Sequence, residues 1–144
     1  MSESICFERL CAEDDLTIKA VAEGFGGYSA ERIKAFLCDE NNVALIAKLE
    51  DKLICLIYGY SLARLDDKKP QFFIYSVEIL SEYQGKGYGG RFVKWAVDWA
   101  MQNGFCESFV PTEKDNIPAC KIYEKAGMSH SDDDCDRIYV VEYS

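Results

Sequence analysis

The alternation of apolar and polar positions divides the chain into short, well-punctuated elements. Residues 4–10 read as a first strand, and the acidic run Ala12-Glu-Asp-Asp15 caps a helix that extends to about Glu23. Gly24-Phe-Gly-Gly27 breaks it, and Ser29 starts a second helix through about Cys38. Val43 to Leu49 and Leu53 to about Leu65 are two strands joined by the turn Glu50-Asp51-Lys52, which predicts a hairpin. A second turn, Asp66-Asp-Lys-Lys-Pro70, leads into a β-branched and aromatic strand, Phe72 to Leu80. The period then lengthens: apolar residues at 92, 96, 99 and 100 predict a helix over Arg91–Gln102, stopped by Asn103-Gly104. Cys106 to Val110 is a short strand. Asp115-Asn116 caps a helix with Pro118 in its first turn, running to Ala126 before Gly127, and Arg137 to Tyr143 is a last strand. Residues 129–136 read either as a short strand or as an acidic loop. An antiparallel meander followed by strand-helix-strand-helix-strand predicts an α+β, mixed-sheet domain of three layers, α/β/α, over residues 1–144.

At 144 residues a single core is expected to suffice, and no repeat, low-complexity tract or linker divides the chain. The longest apolar runs, such as Leu53 to Tyr60, fall far short of the roughly 20 residues of a membrane span. The opening Met-Ser-Glu-Ser has no basic-then-apolar signal pattern, so a cytoplasmic protein is expected. Seven cysteines, at 6, 11, 38, 55, 106, 120 and 135, form no CxxC pair, and His130 is the only histidine. No metal site is expected, and the cysteines read as reduced, small core residues. Sixteen basic against twenty-five acidic residues give a net charge of −9, which disfavours nucleic acid and anionic membranes as partners. A cationic small molecule would be attracted. Acidity that only maintains solubility is the other reading.

Gln84-Gly-Lys-Gly-Tyr-Gly-Gly90, between a strong strand and a strong helix, is the most informative stretch. Glycines there let the backbone approach a ligand closely, and amides at a helix start favour a phosphate or pyrophosphate. Residues 85, 87 and 90 formally satisfy GxGxxG, with Glu107 about twenty residues on. A dinucleotide site, however, should follow the first strand of a βαβ unit, and here a meander precedes the turn. A Walker loop fails because no Gly-Lys-Ser/Thr follows four spacer residues. A glycine turn without a ligand remains the structural alternative.

Two motifs together resemble the GNAT superfamily of N-acetyltransferases. Gln84, Gly87 and Gly89 match its acetyl-CoA signature, and Asn116, Ala119, Tyr123 and Gly127 match its downstream Asn-x-x-Ala, Tyr and Gly spacing, with Met128 where relatives often have Phe. The element order agrees over nearly the whole chain. The resemblance implies the GNAT (acyl-CoA N-acyltransferase) fold, whose central strands, here 72–80 and 106–110, splay apart. It implies acetyl-CoA as co-substrate, with pantetheine along the main chain of Ile79 and Leu80. The pyrophosphate would lie on the amides of Gln84, Gly85, Lys86, Gly87, Tyr88, Gly89 and Gly90. Asn116 and Ala119 would meet the pantetheine arm, and Tyr123 the sulfur. Independently, Ala119, Ile122, Tyr123 and Ala126 form one helical stripe, which turns Tyr123 towards the sheet. A buried core aromatic is the alternative for that residue. The departures from the family pattern are Ser81 where relatives often have proline, Pro118 inside Asn-x-x-Ala, and a single strand after the last helix where relatives often have two.

The implied reaction is direct acetyl transfer to a primary amine. A backbone N–H near Ile79 would hold the oxyanion and Tyr123 would protonate the departing thiolate as general acid. Glu78 is the candidate general base, unless strand alternation aims it away as a solvated carboxylate. The acceptor is expected to be a small, cationic, multiply aminated molecule. Phe25, Tyr28, Glu31 and Tyr75 would contact it, and Asp132, Asp133, Asp134 and Asp136 would add negative charge, unless these acids are only solvated loop residues. The run Phe73-Ile-Tyr-Ser-Val is similar to aminoglycoside N-acetyltransferases, although Ser76 stands where those have an aspartate. Self-association as a homodimer is left open. A non-catalytic acetyl-CoA-binding regulatory module of the same fold is the alternative function.

Overall fold

The computed structural model describes residues 4–130, 139 and 141–143. The elements run β1 (Ile5–Arg9), α1 (Asp15–Gly24), α2 (Ala30–Leu37), β2 (Asn42–Leu49), β3 (Lys52–Leu62), β4 (Gln71–Ile79), a 3₁₀ turn (Ser81–Tyr83), α3 (Tyr88–Gln102), β5 (Glu107–Phe109) and α4 (Ile117–Lys125). They form one mixed sheet in the order β1-β2-β3-β4-β5, with β1 to β4 antiparallel and β5 parallel to β4. A parallel neighbour requires a crossover, and α3 supplies it.

The local signals act as expected. Asp14 accepts the Thr17 amide at 3.1 Å and Ser29 accepts the Arg32 amide at 3.2 Å, so each caps its helix. Glu50 and Asp51 both adopt positive φ, 50° and 67°, which gives the right-twisted two-residue turn that a tight hairpin needs. β3 stops at Leu62 rather than Leu65. Arg64 and Asp66 pair there in a fork, Nε to Oδ1 at 2.9 Å and Nη2 to Oδ2 at 2.7 Å, and turn the chain away.

The sheet is apolar on both faces, which explains why β2 and β3 read as nearly continuous hydrophobic runs. Val43, Leu45, Ala47, Ile57, Phe72 and Ile74 pack on one side beneath Phe92, Val93, Ala96 and Ala100 of α3. Ala44, Ile46 and Leu56 pack on the other side beneath Ile18 and Val21 of α1 and Phe25. The result is the expected α/β/α sandwich.

Three further expectations need correction. α3 starts at Tyr88, not Arg91, because the Tyr88 side chain is 6% exposed and anchors the first turn in the core. Most of the six described cysteines are not core residues: Cys55 is buried, Cys120 is half-buried, and Cys6, Cys11, Cys38 and Cys106 are exposed, while Cys135 lies outside the described residues. They stand on the outward side or at the ends of their elements, where an apolar sequence pattern says little about burial. The strand expected over Arg137–Tyr143 is absent where it is described, since Tyr139 and residues 141–143 are irregular and Tyr139 is 87% exposed. The rest of that strand lies outside the described residues, as do Asp132, Asp133, Asp134 and Asp136. Among the described residues, no helix is long and apolar enough to cross a membrane.

Two irregularities shape the sheet's active end. β4 and β5 pair only at Gln71–Glu107, Phe72–Ser108 and Phe73–Phe109, so from Ile74 to Ile79 β4 has no described partner on its outer edge. The register of β3 against β4 also jumps from Tyr58–Ser76 to Gly59–Ile74, which makes Tyr75 a bulged residue. Opposite that jump only glycine fits, because a Cβ on Gly59 would lie 2.0 Å from the Phe73 carbonyl oxygen.

Candidate active site

The open edge of β4 can be traced through its hydrogen bonds. Leu80 N–H donates back to the Ile54 carbonyl at 3.0 Å, so strand alternation turns the main-chain groups of Ile79 and Val77 towards the gap. The Ile79 carbonyl accepts the Gln84 side-chain amide at 2.9 Å. That bond ties the end of the strand to the glycine turn, a physical role for the glutamine that opens the motif.

In the turn, Gly85 and Gly87 have φ of 76° and 89°, and Gly87 is the N-cap of α3. A Cβ at either would meet no atom within 4 Å, so their amides border open space. Gly89 serves packing instead: a Cβ there would approach the Ile79 Cδ1 to 2.4 Å and the Ile122 Cδ1 to 3.0 Å. Gly90 lies against Lys125, whose Cβ would be 3.6 Å from a Cβ at that position. Tyr88 points its side chain into the core, and the Lys86 ammonium lies 5.9 Å from the centre of the Tyr83 ring.

These pieces line a groove of about 640 Å³ between β4, the turn and α4. Val77, Ile79, Gln84, Gly85, Gly87, Gly89 and Gly90 form one wall, and Asn116, Ala119, Ile122 and Tyr123 the other. Backbone amides at a 15-residue helix start, with open space where side chains would be, suit an anionic ligand such as the pyrophosphate of CoA. Asn116 acts as the expected helix cap. Its Oδ1 caps α4 by accepting the Ala119 amide at 3.2 Å, which leaves its Nδ2 donors and a second Oδ1 lone pair for a guest. Burial raises the Tyr123 phenol above its ordinary pKa, and a hydrogen bond with Thr112 pulls the other way. At neutral pH the phenol holds its proton.

A second cleft, about 400 Å³, opens on the opposite side of the same strand end, lined by Gly24, Phe25, Gly26, Glu78, Leu80 and Ser81. Val77, Ile79 and Gln84 border both cavities. Glu78 therefore faces the α1–α2 side, where its carboxylate accepts the Tyr28 hydroxyl. Burial and that carboxylate together hold the Tyr28 phenol strongly protonated.

The remaining expected contacts fare unevenly. Phe25 borders this cleft, yet it is 4% exposed and belongs to the core beneath α1. Glu31 is exposed on α2 and lines neither cleft, because the helix turns it to solvent. Tyr75, on the bulge and 59% exposed, packs on Tyr58 with ring centres 5.3 Å apart and also lines neither. Sequence reasoning missed Lys121 and Lys125, which line the groove from successive turns of α4, although their i, i+4 spacing was legible.

A curled meander with one splayed parallel pair and a glycine turn at its mouth is the scaffold of an acyl-CoA-dependent transferase. Residues 10–128 match the acetyltransferase (GNAT) family, and the chain belongs to it. It is 35% identical over 52 residues to streptothricin acetyltransferase A of Bacillus subtilis (strain 168), a stretch covering 36% of this chain and 30% of that protein. Its fold is similar to an aminoglycoside acetyltransferase from an uncultured soil metagenomic sample in complex with sisomicin. The TM-score is 0.77 at 20% identity, over 96% of this chain and 97% of that one. It is also similar to an aminoglycoside N-acetyltransferase in complex with CoA, with TM-score 0.72 at 12% identity over 99% and 97% of the two chains.

Proposed function

We propose that the chain is an acetyl-CoA-dependent N-acetyltransferase acting on the primary amine of a small, cationic acceptor. The observation that carries this reading is the open end of β4 standing between two cavities, with Tyr123 in one and Glu78 in the other. Bound acetyl-CoA would supply an activated thioester carbonyl. Gln84, Gly85, Lys86, Gly87, Tyr88, Gly89 and Gly90 would hold its phosphates through main-chain amides, and the edge at Ile79 and Leu80, with Asn116 and Ala119, would align its arm. The Ile79 amide faces the gap and suits negative charge building on the acyl oxygen. Tyr123, protonated at neutral pH, would give a proton to the leaving sulfur. Glu78 is the base for the incoming amine, directly or through water, once Tyr28 yields its hydrogen bond.

Glu78 supports the cationic acceptor, because a carboxylate at the second cleft attracts and orients an ammonium group. The multiply aminated version of that acceptor leans on Asp132, Asp133, Asp134 and Asp136, which lie outside the described part of the chain. The aminoglycoside acetyltransferases of similar fold, at 20% and 12% identity, are consistent with a small amine as acceptor. All six described cysteines are free, which suits a reducing cytoplasm.

The test is thiol release from acetyl-CoA across a panel of amines, alongside calorimetry of acetyl-CoA alone. Amine-dependent thiol release is expected. Tight acetyl-CoA binding with no thiol release from any amine would instead make the protein a non-catalytic acetyl-CoA-binding module.

A further inference from the structure

A third cavity, about 510 Å³, lies between α2 and the sheet. Four aromatic rings line it: Tyr28, Phe36, Tyr58 and Tyr60. The rings are locked edge to face, with Phe36 against Tyr58 at 5.7 Å and 83° and Tyr28 against Tyr58 at 6.2 Å and 87°. Val21, Ile33 and Leu56 complete an apolar lining that contains no carboxylate, and its one charged member, Arg32, is exposed.

Tyr28 links this cavity to the acceptor cleft. Its ring belongs to the aromatic lining, while its hydroxyl donates to Glu78, which lines the cleft beside the open edge of β4. The Tyr28 ring therefore stands between Glu78 and the aromatic cavity, and a ligand whose ammonium sits at Glu78 would reach that cavity once Tyr28 shifts. Tyr28 directly follows Gly26 and Gly27, where a Cβ would touch nothing within 4 Å and Gly27 has φ of 88°. That segment has the backbone freedom to shift and release Glu78 to an incoming amine.

We propose that the α2 cavity takes the body of the acceptor, and that the acceptor is a primary amine bearing one compact apolar group, best an aromatic ring. This rests on the acetyl-transfer reading and narrows it. Further ammonium groups on a polyamine would meet aromatic faces and hydroxyls there but no carboxylate to balance their charge, so the lining favours one apolar group over a second charge.

The experiment measures kcat/KM by thiol release from acetyl-CoA with ethylamine, 2-phenylethylamine, spermidine and kanamycin. The protein is compared with Ala35→Trp and Ile33→Trp, which fill the cavity from α2, and circular dichroism confirms folding. Burying the ring should favour 2-phenylethylamine over ethylamine by about 30-fold. Filling the cavity should shrink that advantage at least tenfold in one variant or both. Faster turnover of spermidine or kanamycin overturns this inference but leaves acetyl transfer standing, as does an advantage that survives in both variants. Absence of thiol release with every amine removes both readings together.

Discussion

Gly87 and Gly104 offer a matched pair for testing where the cofactor sits. Both have left-handed φ, 89° and 87°, both flank α3, and a Cβ at either would meet no protein atom within 4 Å. Replacing either by alanine therefore costs the same backbone strain, about 1–2 kcal/mol. For a chain of 144 residues, an unfolding entropy of about 2.1 cal/mol/K per residue converts that cost into a fall in Tm of about 3–7 °C. The two variants should separate in binding. The Gly87 methyl group would project into the space proposed for the pyrophosphate, whereas Gly104 lies at the far end of the helix. Losing two charge-assisted hydrogen bonds at about 1.5 kcal/mol each weakens acetyl-CoA by about 100-fold. Titration calorimetry and thermal melts on both variants check this directly. Equal acetyl-CoA affinity in Gly87→Ala and Gly104→Ala would refute the placement, because strain alone would then explain everything. Gly89 is unsuited to the same test, since its substitution collides with Ile79 and Ile122.

Tyr123→Phe removes one hydroxyl and should lower kcat by about 10²–10⁴-fold with acetyl-CoA affinity unchanged; a normal kcat would return the residue to the role of a core aromatic. Because burial raises this phenol, its acid form persists below the raised pKa, and activity from this group should be lost only as pH climbs above about 10. Asn116→Asp keeps the oxygen that caps α4 and places negative charge at a helix start, so Tm should hold or rise. Acetyl-CoA affinity should fall in that variant if the lost amide faced the pantetheine arm, as calorimetry would reveal. Gly59→Ala, with its Cβ 2.0 Å from a backbone oxygen, should be strongly destabilised by thermal melt, and a wild-type Tm would mean that the bulge at Tyr75 can relax.

Much of this protein was settled by short-range chemistry that one sequence displays. Asp14, Ser29 and Asn116 cap helices because their side-chain oxygens reach amides three residues on, and Gly87 and Gly127 take left-handed turns that cost other residues strain. The strand–glycine–helix order and the Asn116 to Gly127 spacing marked both walls of the groove, and the stripe through Ala119 and Tyr123 marked which way α4 faces. What needed tertiary structure were the relations between distant segments. Strand alternation alone left Glu78 free to face either way. Its aim became fixed only when the bulge at Tyr75 shifted the phase of β4 and Tyr28, fifty residues earlier, came to rest against it. Phe25 and Glu31 were sorted into core and solvent by the same packing, since composition cannot tell a pocket wall from a core face. The gap beyond Phe73 likewise arises because β5 pairs for only three residues, and the length over which two strands stay together depends on everything packed around them.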